Sequence, residues 1–168
     1  MFYHKRLSKY AWAKLIKGEA MYFDDLKVGM TVEIDPAIIK KDKMVAFAKD
    51  YDNIPLHTDE EYAKTTPFGK LIAPGVMSFM SVWNKYLEVD FFGEELLAGK
   101  STKIEWIKPV FADDILTGRA TITNTVKRNP KNGLVEISIE AYNQNGDLVL
   151  KDIRCNRAQK VLPQFSSR

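Results

Sequence analysis

The stretch that decides the fold is PGVMSFMSVWNKYLEV, residues 74–89. If this stretch forms a helix, apolar side chains occupy nearly every face of it. Such a helix is typically buried inside its fold rather than resting on the surface. Because Pro74 and Gly75 come directly before the apolar run, we predict that the helix begins there.

The last third of the chain changes to the two-residue period that is typical of β-strands. The sequence NQNG, residues 143–146, predicts a tight hairpin turn between two of these strands. Three or four long antiparallel strands therefore follow the apolar helix. The alternating residues of the predicted strands are Ile104 and Trp106, with Lys108 as a third candidate; Ala120, Ile122, Asn124 and Val126; and Val135, Ile137, Ile139 and Ala141.

Shorter elements are predicted upstream of the apolar helix. A turn at residues 28–29 leads into a strand over residues 31–34, which Pro36 closes, and a helix ends near Asp50. Because the sheet needs a cover for its apolar face, the apolar helix is the natural cover. We expect an α+β fold in which a curved antiparallel β-sheet wraps around a central buried helix. Two such sheets could pair edge to edge, so a homodimer or a higher homo-oligomer is expected.

The first twenty residues are basic, with no acidic residue before Glu19. We predict that residues 1–20 are an amphipathic helical extension docked on a single domain formed by residues 21–168. A targeting or membrane-surface segment is the alternative, and His4 is expected at the surface. The residues at helical spacing are Tyr3, Leu7, Tyr10, Ala11 and Leu15.

The composition excludes several classes of protein. A chain of 168 residues with 45% hydrophobic and 28% charged residues is typical of one globular domain. The net charge of +3 is too small to indicate a nucleic-acid partner, and no apolar run approaches the roughly 18 residues that span a bilayer. The single cysteine, Cys155, excludes an internal disulfide and a cysteine-based zinc site. We expect no metal, no separate cofactor and a cytoplasmic location.

Candidate chemistry lies in YDNIPLHTDEEYAKTTPFGKLIAPG, residues 51–75. Pro55 separates Asp52 from His57 and forces a turn that can bring their side chains around one water molecule. One group could deprotonate the water while the other orients it. Alternatively, Asp52 caps a helix and His57 is an ordinary histidine. Gly75, at the predicted helix start, could donate its amide to a carbonyl oxygen that gains negative charge, or could be a plain turn glycine.

The segment FAKDYDNIPLHTDEEYAKTTPFGKLIAPGVMSFMSVW, residues 47–83, resembles the MaoC-like dehydratases, the (R)-specific enoyl-CoA hydratase group of the hotdog fold. The likeness extends over residues 22–160. The positions in register with the family pattern are Asp52, Pro55, His57, Asp59, Tyr62, Ala63, Phe68, Gly69 and Gly75.

The resemblance implies a role for each candidate residue. Asp52 would take a proton from water, His57 would bind and polarise that water, and the Gly75 amide would hold a thioester carbonyl. The implied reaction adds water across the double bond of an α,β-unsaturated acyl thioester, as from an enoyl-CoA to an (R)-3-hydroxyacyl-CoA. Coenzyme A, or phosphopantetheine on an acyl-carrier protein, would carry the substrate across the dimer interface. The alternatives are an acyl-CoA thioesterase and a non-catalytic subunit that binds acyl thioesters.

Three positions depart from the family pattern. Ile54 stands where the family usually has asparagine, so a hydrogen bond in the loop is lost or shifted. Asp113 replaces the glycine of a Gly-Asp turn, a change that concerns a loop more than the chemistry. Trp83 occupies the place of a serine that some relatives carry, and it is expected to narrow the acyl pocket.

Overall fold

The structure is a computed structural model that describes residues 21–89 and 96–160. The predicted extension over residues 1–20, with His4, lies outside the described residues. A short 3-10 turn at Phe23–Asp25 comes first. The elements that follow are β1 (Thr31–Ile38), α1 (Lys41–Tyr51), α2 (Pro55–Thr58), α3 (Glu60–Lys64), α4 (Gly75–Glu88), β2 (Leu96–Trp106), β3 (Ile115–Lys127), β4 (Asn132–Tyr142) and β5 (Leu148–Gln159).

The five strands form one antiparallel sheet in the order β1-β3-β4-β5-β2. Strand β4 lies at the centre, and its alternation is confirmed because the predicted core residues are all buried. The predicted hairpin at residues 143–146 is also confirmed, with Gly146 at φ 80°. The expected architecture, a curved antiparallel sheet with a helix across it, is therefore correct.

Helix α4 is less completely buried than its sequence predicts. One face packs against the sheet, and its buried residues are Met77, Ser78, Phe79, Val82, Trp83 and Tyr86. The other face is open in the single chain, where Val76, Met80 and Leu87 are about half exposed. The prediction was wrong on this point because an apolar sequence cannot distinguish a side chain covered by its own sheet from one left uncovered.

Two strands differ from their predicted form because of β-bulges. Strand β1 does not end before Pro36 but continues to Ile38, with a register shift between Ile34 and Ala37. Proline is tolerated there because β1 is an edge strand and Pro36 lies at the bulge. In β3 the register shifts between Ile122 and Asn124, so the predicted apolar face is interrupted and Val126 is 48% exposed.

Asp113 occupies a backbone conformation that favours glycine. Its φ is 66°, the only positive φ of a non-glycine residue in the described ranges. The side chain is exposed, and the backbone N–H donates to the Ile39 carbonyl at 2.8 Å. The left-handed region is costly for residues that carry a Cβ atom. The family's glycine at this position therefore has a conformational reason.

We expect Asp113→Gly to raise the free energy of unfolding by about 0.5–1 kcal/mol, because it removes this strain. Urea denaturation monitored by circular dichroism measures the change. The matched control is Asp35→Gly, at an exposed position of β1 outside the left-handed region, which should lower the stability. An unchanged or reduced stability of Asp113→Gly would contradict the explanation.

Strand β2 forms an open edge of the sheet. It pairs only with β5 in the described part of the chain, and nearly all of its residues are exposed. Trp106, predicted from alternation to share a strand face with Ile104, is 53% exposed, and Lys108, the third candidate, lies beyond the end of β2. None of the helices within residues 21–89 and 96–160 combines the length and apolarity needed to cross a bilayer.

Candidate active site

Asp52 lies at the end of α1, where the chain leaves helical geometry. Its backbone N–H donates to the Ala48 carbonyl at 2.8 Å, and its φ and ψ are −154° and 59°. The backbone therefore closes the helix while the carboxylate remains available. The side chain is 46% exposed. Asp52 is consequently accessible to solvent and to a small molecule.

His57 lies in α2, the short helix that Pro55 begins. Ile54 is extended, as expected for the residue before proline, and its carbonyl accepts the His57 N–H at 3.0 Å. The imidazole is buried, and its Nδ1 lies 2.7 Å from the Ile72 carbonyl oxygen. Because a carbonyl oxygen only accepts, Nδ1 must carry the proton. That contact fixes the ring and leaves Nε2 facing away from Ile72.

The turn between α1 and α2 brings the two predicted side chains together. His57 Nε2 lies 3.4 Å from Asp52 Oδ2. That separation is longer than a good direct hydrogen bond between nitrogen and oxygen. When the imidazole is neutral, both atoms are acceptors, so a water lying to one side can donate one hydrogen to each. The arrangement is therefore suited to holding and orienting one water molecule.

Gly75 is brought to the same place. A cavity of about 460 Å³ is lined by Asp52, His57 and Gly75 together. Gly75 is the first residue of α4 after the N-cap Pro74, so its amide belongs to the first turn, whose N–H groups have no acceptor within the helix. The helix dipole is positive at this end. A carboxylate, an imidazole and the backbone N–H at the start of α4 thus share one cavity.

The rest of the cavity wall is mostly apolar. The remaining lining residues are Phe68, Ile72, Ala73, Val76, Ser78, Trp106, Ile107, Lys108, Pro109 and Val110. Sequence reasoning did not place Trp106 or Lys108 at this site. Alternation indicated that Trp106 shares a strand face with Ile104, but not that this end of the face borders a cavity. The Lys108 ammonium is paired with Asp147 at 2.6 Å.

Trp83 was expected to narrow the acyl pocket, but it does not narrow this cavity. It is 9% exposed, and its ring lies in the core against Phe79 and Tyr86. The Arg154 guanidinium stacks on it at 3.8 Å from the ring centroid. The side chain points to the sheet rather than to the lining because position 83 lies two turns beyond Gly75 on the buried face of α4.

Ile54 leaves α2 without a side-chain cap. It is the N-cap residue, and no side-chain hydrogen bond forms there, whereas asparagine is among the preferred residues at an N-cap. The helix nevertheless holds His57, because the imidazole is bound to Ile72 and the Thr58 hydroxyl donates to the Ile54 carbonyl at 3.0 Å. The departure therefore changes the cap and not the meeting of Asp52 with His57.

Comparison with known proteins agrees with this architecture. Residues 25–144 match the model of the MaoC like domain. Uncharacterized protein YdeM of Bacillus subtilis is 29% identical over 128 residues, covering 74% of this chain and 89% of that protein. The 3-hydroxybutyryl-CoA dehydratase of Methylorubrum extorquens is 44% identical over 57 residues, which are 33% of this chain and 36% of that enzyme.

The solved structure of a monoamine oxidase regulatory protein from Archaeoglobus has the same fold. It superposes with a TM-score of 0.80 and 28% identity, covering 84% of this chain and 96% of that one. The fold is the hotdog fold, as the sequence resemblance implied. Since the domain match covers well over half of the residues, the chain belongs to the MaoC-like family.

Proposed function

We propose that the protein is a hydro-lyase that adds water reversibly across the double bond of an α,β-unsaturated acyl thioester. The observation that carries this proposal is the convergence of Asp52, His57 and the Gly75 amide on one largely apolar cavity. The cavity can take an acyl chain, and the three polar groups match the places where the reaction needs a base, an ordered water and a stabilised oxygen. The dehydratase among the sequence relatives supports the same reaction class.

Asp52 acts as the base in the proposed mechanism. As its carboxylate takes a proton, the water oxygen forms a bond to C3 of the enoyl group and the C2–C3 π electrons move to C2 and the thioester oxygen. His57 Nε2 accepts a hydrogen bond from the second O–H of the water, which stays on the oxygen as the product hydroxyl, and this bond directs a lone pair of the water at C3. The Gly75 amide stabilises the negative oxygen. The proton taken from water is then returned to C2, which completes the addition.

A panel of enoyl-CoA substrates tests the proposal. Hydration is followed by the loss of enoyl absorbance, and thiol release is measured in parallel because a thioesterase would free coenzyme A instead. We expect absorbance loss without thiol release for at least one acyl chain. Thiol release alone would assign a thioesterase, and binding of acyl-CoA without either signal would assign a non-catalytic subunit. Repeating the assay with acyl-carrier-protein thioesters identifies the carrier.

We also propose that two copies pair through β2, since this edge strand has no neighbour on one side within residues 21–89 and 96–160. An unpaired edge is a template for a further strand, and β2 presents Leu97 about half exposed. Sedimentation analysis at micromolar concentration is expected to give twice the chain mass. A protein that remains monomeric over the assay range would contradict the pairing.

A further inference from the structure

Trp106 lies directly over the start of α4. It is the last residue of β2 and lines the cavity with Gly75. A Cβ atom built on Gly75 would lie 2.5 Å from the indole Nε1 and 2.6 Å from Cε2. The bond from Cα to this added Cβ atom is about 1.5 Å long. The indole Nε1 therefore lies within roughly 4 Å of the Gly75 Cα atom. Gly75 thus permits a close approach of this ring, which any larger residue would displace.

The indole N–H of Trp106 donates no hydrogen bond within the described residues. Four side chains of the cavity lining carry N–H or O–H donors: His57, Ser78, Trp106 and Lys108. His57 donates to the Ile72 carbonyl, and the Ser78 hydroxyl lies 3.4 Å from the Pro74 carbonyl. Lys108 is paired with Asp147. Within the described residues Trp106 Nε1 has no hydrogen-bond partner. An indole nitrogen can only donate, so the group it would satisfy must be an acceptor.

We propose that Trp106 is a second hydrogen-bond donor to the thioester oxygen, acting beside the Gly75 amide. The inference rests on the proposed function, because it assigns the oxygen of that substrate to this position. Two donors stabilise an oxygen that becomes negative more strongly than one. A neutral donor also leaves the base Asp52 free of a competing positive charge.

The contribution is greatest in the transition state. The carbonyl oxygen is only weakly negative in the bound substrate but carries most of the charge once water attacks C3. A donor aimed at that oxygen therefore raises kcat more than it lowers KM. Phenylalanine at position 106 would keep an aromatic ring against Gly75 and remove only the N–H group. This substitution separates the donor from the packing.

We expect Trp106→Phe to lower kcat for crotonyl-CoA hydration by about 10²-fold with little change in KM. The matched control is Trp83→Phe, which removes an indole N–H from the core rather than from the cavity and should leave the rate within a few fold. Circular dichroism establishes that both variants are folded. Hydration by Trp106→Phe at the parent rate, or faster, would overturn the inference.

A second measurement does not depend on turnover. The infrared carbonyl stretch of bound butyryl-CoA, a saturated thioester that cannot be hydrated, is expected at lower frequency than in water. Trp106→Phe should move it back towards the value in water, and Trp83→Phe should not. An equal shift in the parent and Trp106→Phe, or no shift in the parent, would overturn the inference. Failure of the parent to hydrate any enoyl-CoA would instead overturn the proposed function and leave the carbonyl result as the test of the donor.

Discussion

Asp52→Asn and His57→Ala are each expected to lower the rate of crotonyl-CoA hydration by about 10³-fold, because each removes one of the two groups to which the proposed mechanism assigns the water. Asparagine has nearly the same volume as aspartate but cannot take a proton. Alanine at position 57 removes the acceptor that orients the water. Loss of enoyl absorbance under saturating substrate measures both effects.

The fold should tolerate the substitution at position 52. The end of α1 is closed by the backbone N–H of Asp52 and not by its side chain, which is about half exposed. A matched control is Asp50→Asn, at an exposed position of α1 that does not line the cavity. That variant should keep the parent rate. If Asp52→Asn or His57→Ala hydrates crotonyl-CoA as fast as the parent, the assigned role is wrong.

His57 differs from Asp52 because it also satisfies a buried group. Alanine at position 57 leaves the Ile72 carbonyl without its donor, so some stability is lost together with activity. His57→Asn should retain more stability than His57→Ala, since the amide nitrogen of asparagine lies near the place of Nδ1 and can donate to that carbonyl. It should remain as inactive, because the asparagine side chain is too short to reach the place of Nε2. A parallel fall of activity and stability in both variants would indicate a structural role only.

Local signals in the sequence were sufficient for much of the fold and for three members of the site. The start of α4 is marked by Pro74 and Gly75, and the turn between α1 and α2 is marked by Pro55. Both are backbone constraints that act within a few residues. The turn places the side chains of Asp52 and His57 together. Their meeting with Gly75 also depends on the contact of His57 with the Ile72 carbonyl and on the residues after β2 that line the cavity. The turn and the start of α4 could therefore be predicted from short stretches alone, whereas the cavity could not.

The position of Trp106 beside Gly75 could not be predicted in this way. An alternating pattern identifies a strand face, but not whether that face is covered by a helix, by a second copy or by nothing. Trp106 reaches Gly75 because β2 is an edge strand beside β5 and its last residue meets the start of α4. That meeting depends on the strand order, and it brings together two residues that are 31 positions apart in the chain.

The polar residues of β5 illustrate the same limitation. In the sequence LKDIRCN, the alternating polar residues are typical of the solvent-facing side of a strand. These residues are Asp152, Arg154 and Asn156. In the structure Asp152 and Asn156 are fully buried, and Arg154 stacks on Phe79 and Trp83 of α4. Tertiary packing decides this, because no pattern within β5 shows which of its faces will be covered.

Asp152→Ala is expected to lower the free energy of unfolding by about 3 kcal/mol, because it leaves the Arg154 guanidinium buried without its counter-charge. Thr102 donates to Asp152 Oδ1 at 2.5 Å, and Arg154 Nε lies 3.5 Å from Oδ2. The ion pair is loose, so burial costs are only partly offset. The double variant Asp152→Leu with Arg154→Met should therefore be at least as stable as the parent. Urea denaturation of the three proteins measures the order, and a double variant less stable than Asp152→Ala would contradict this reasoning.

The pH dependence of the stability gives a second prediction for the pair formed by Asp152 and Arg154. Burial raises the pKa of Asp152 above its usual value, and burial lowers the pKa of Arg154. Between the unfolded pKa of Asp152 and its raised folded pKa, the folded protein binds more protons than the unfolded chain. Stability therefore falls as pH rises through that window. In Asp152→Asn the side chain keeps its shape but cannot ionise. The stability of this variant should therefore not show this fall as the pH rises. If the stability of the parent and of Asp152→Asn changes in parallel from pH 4 upwards, Asp152 is not the group that carries the dependence.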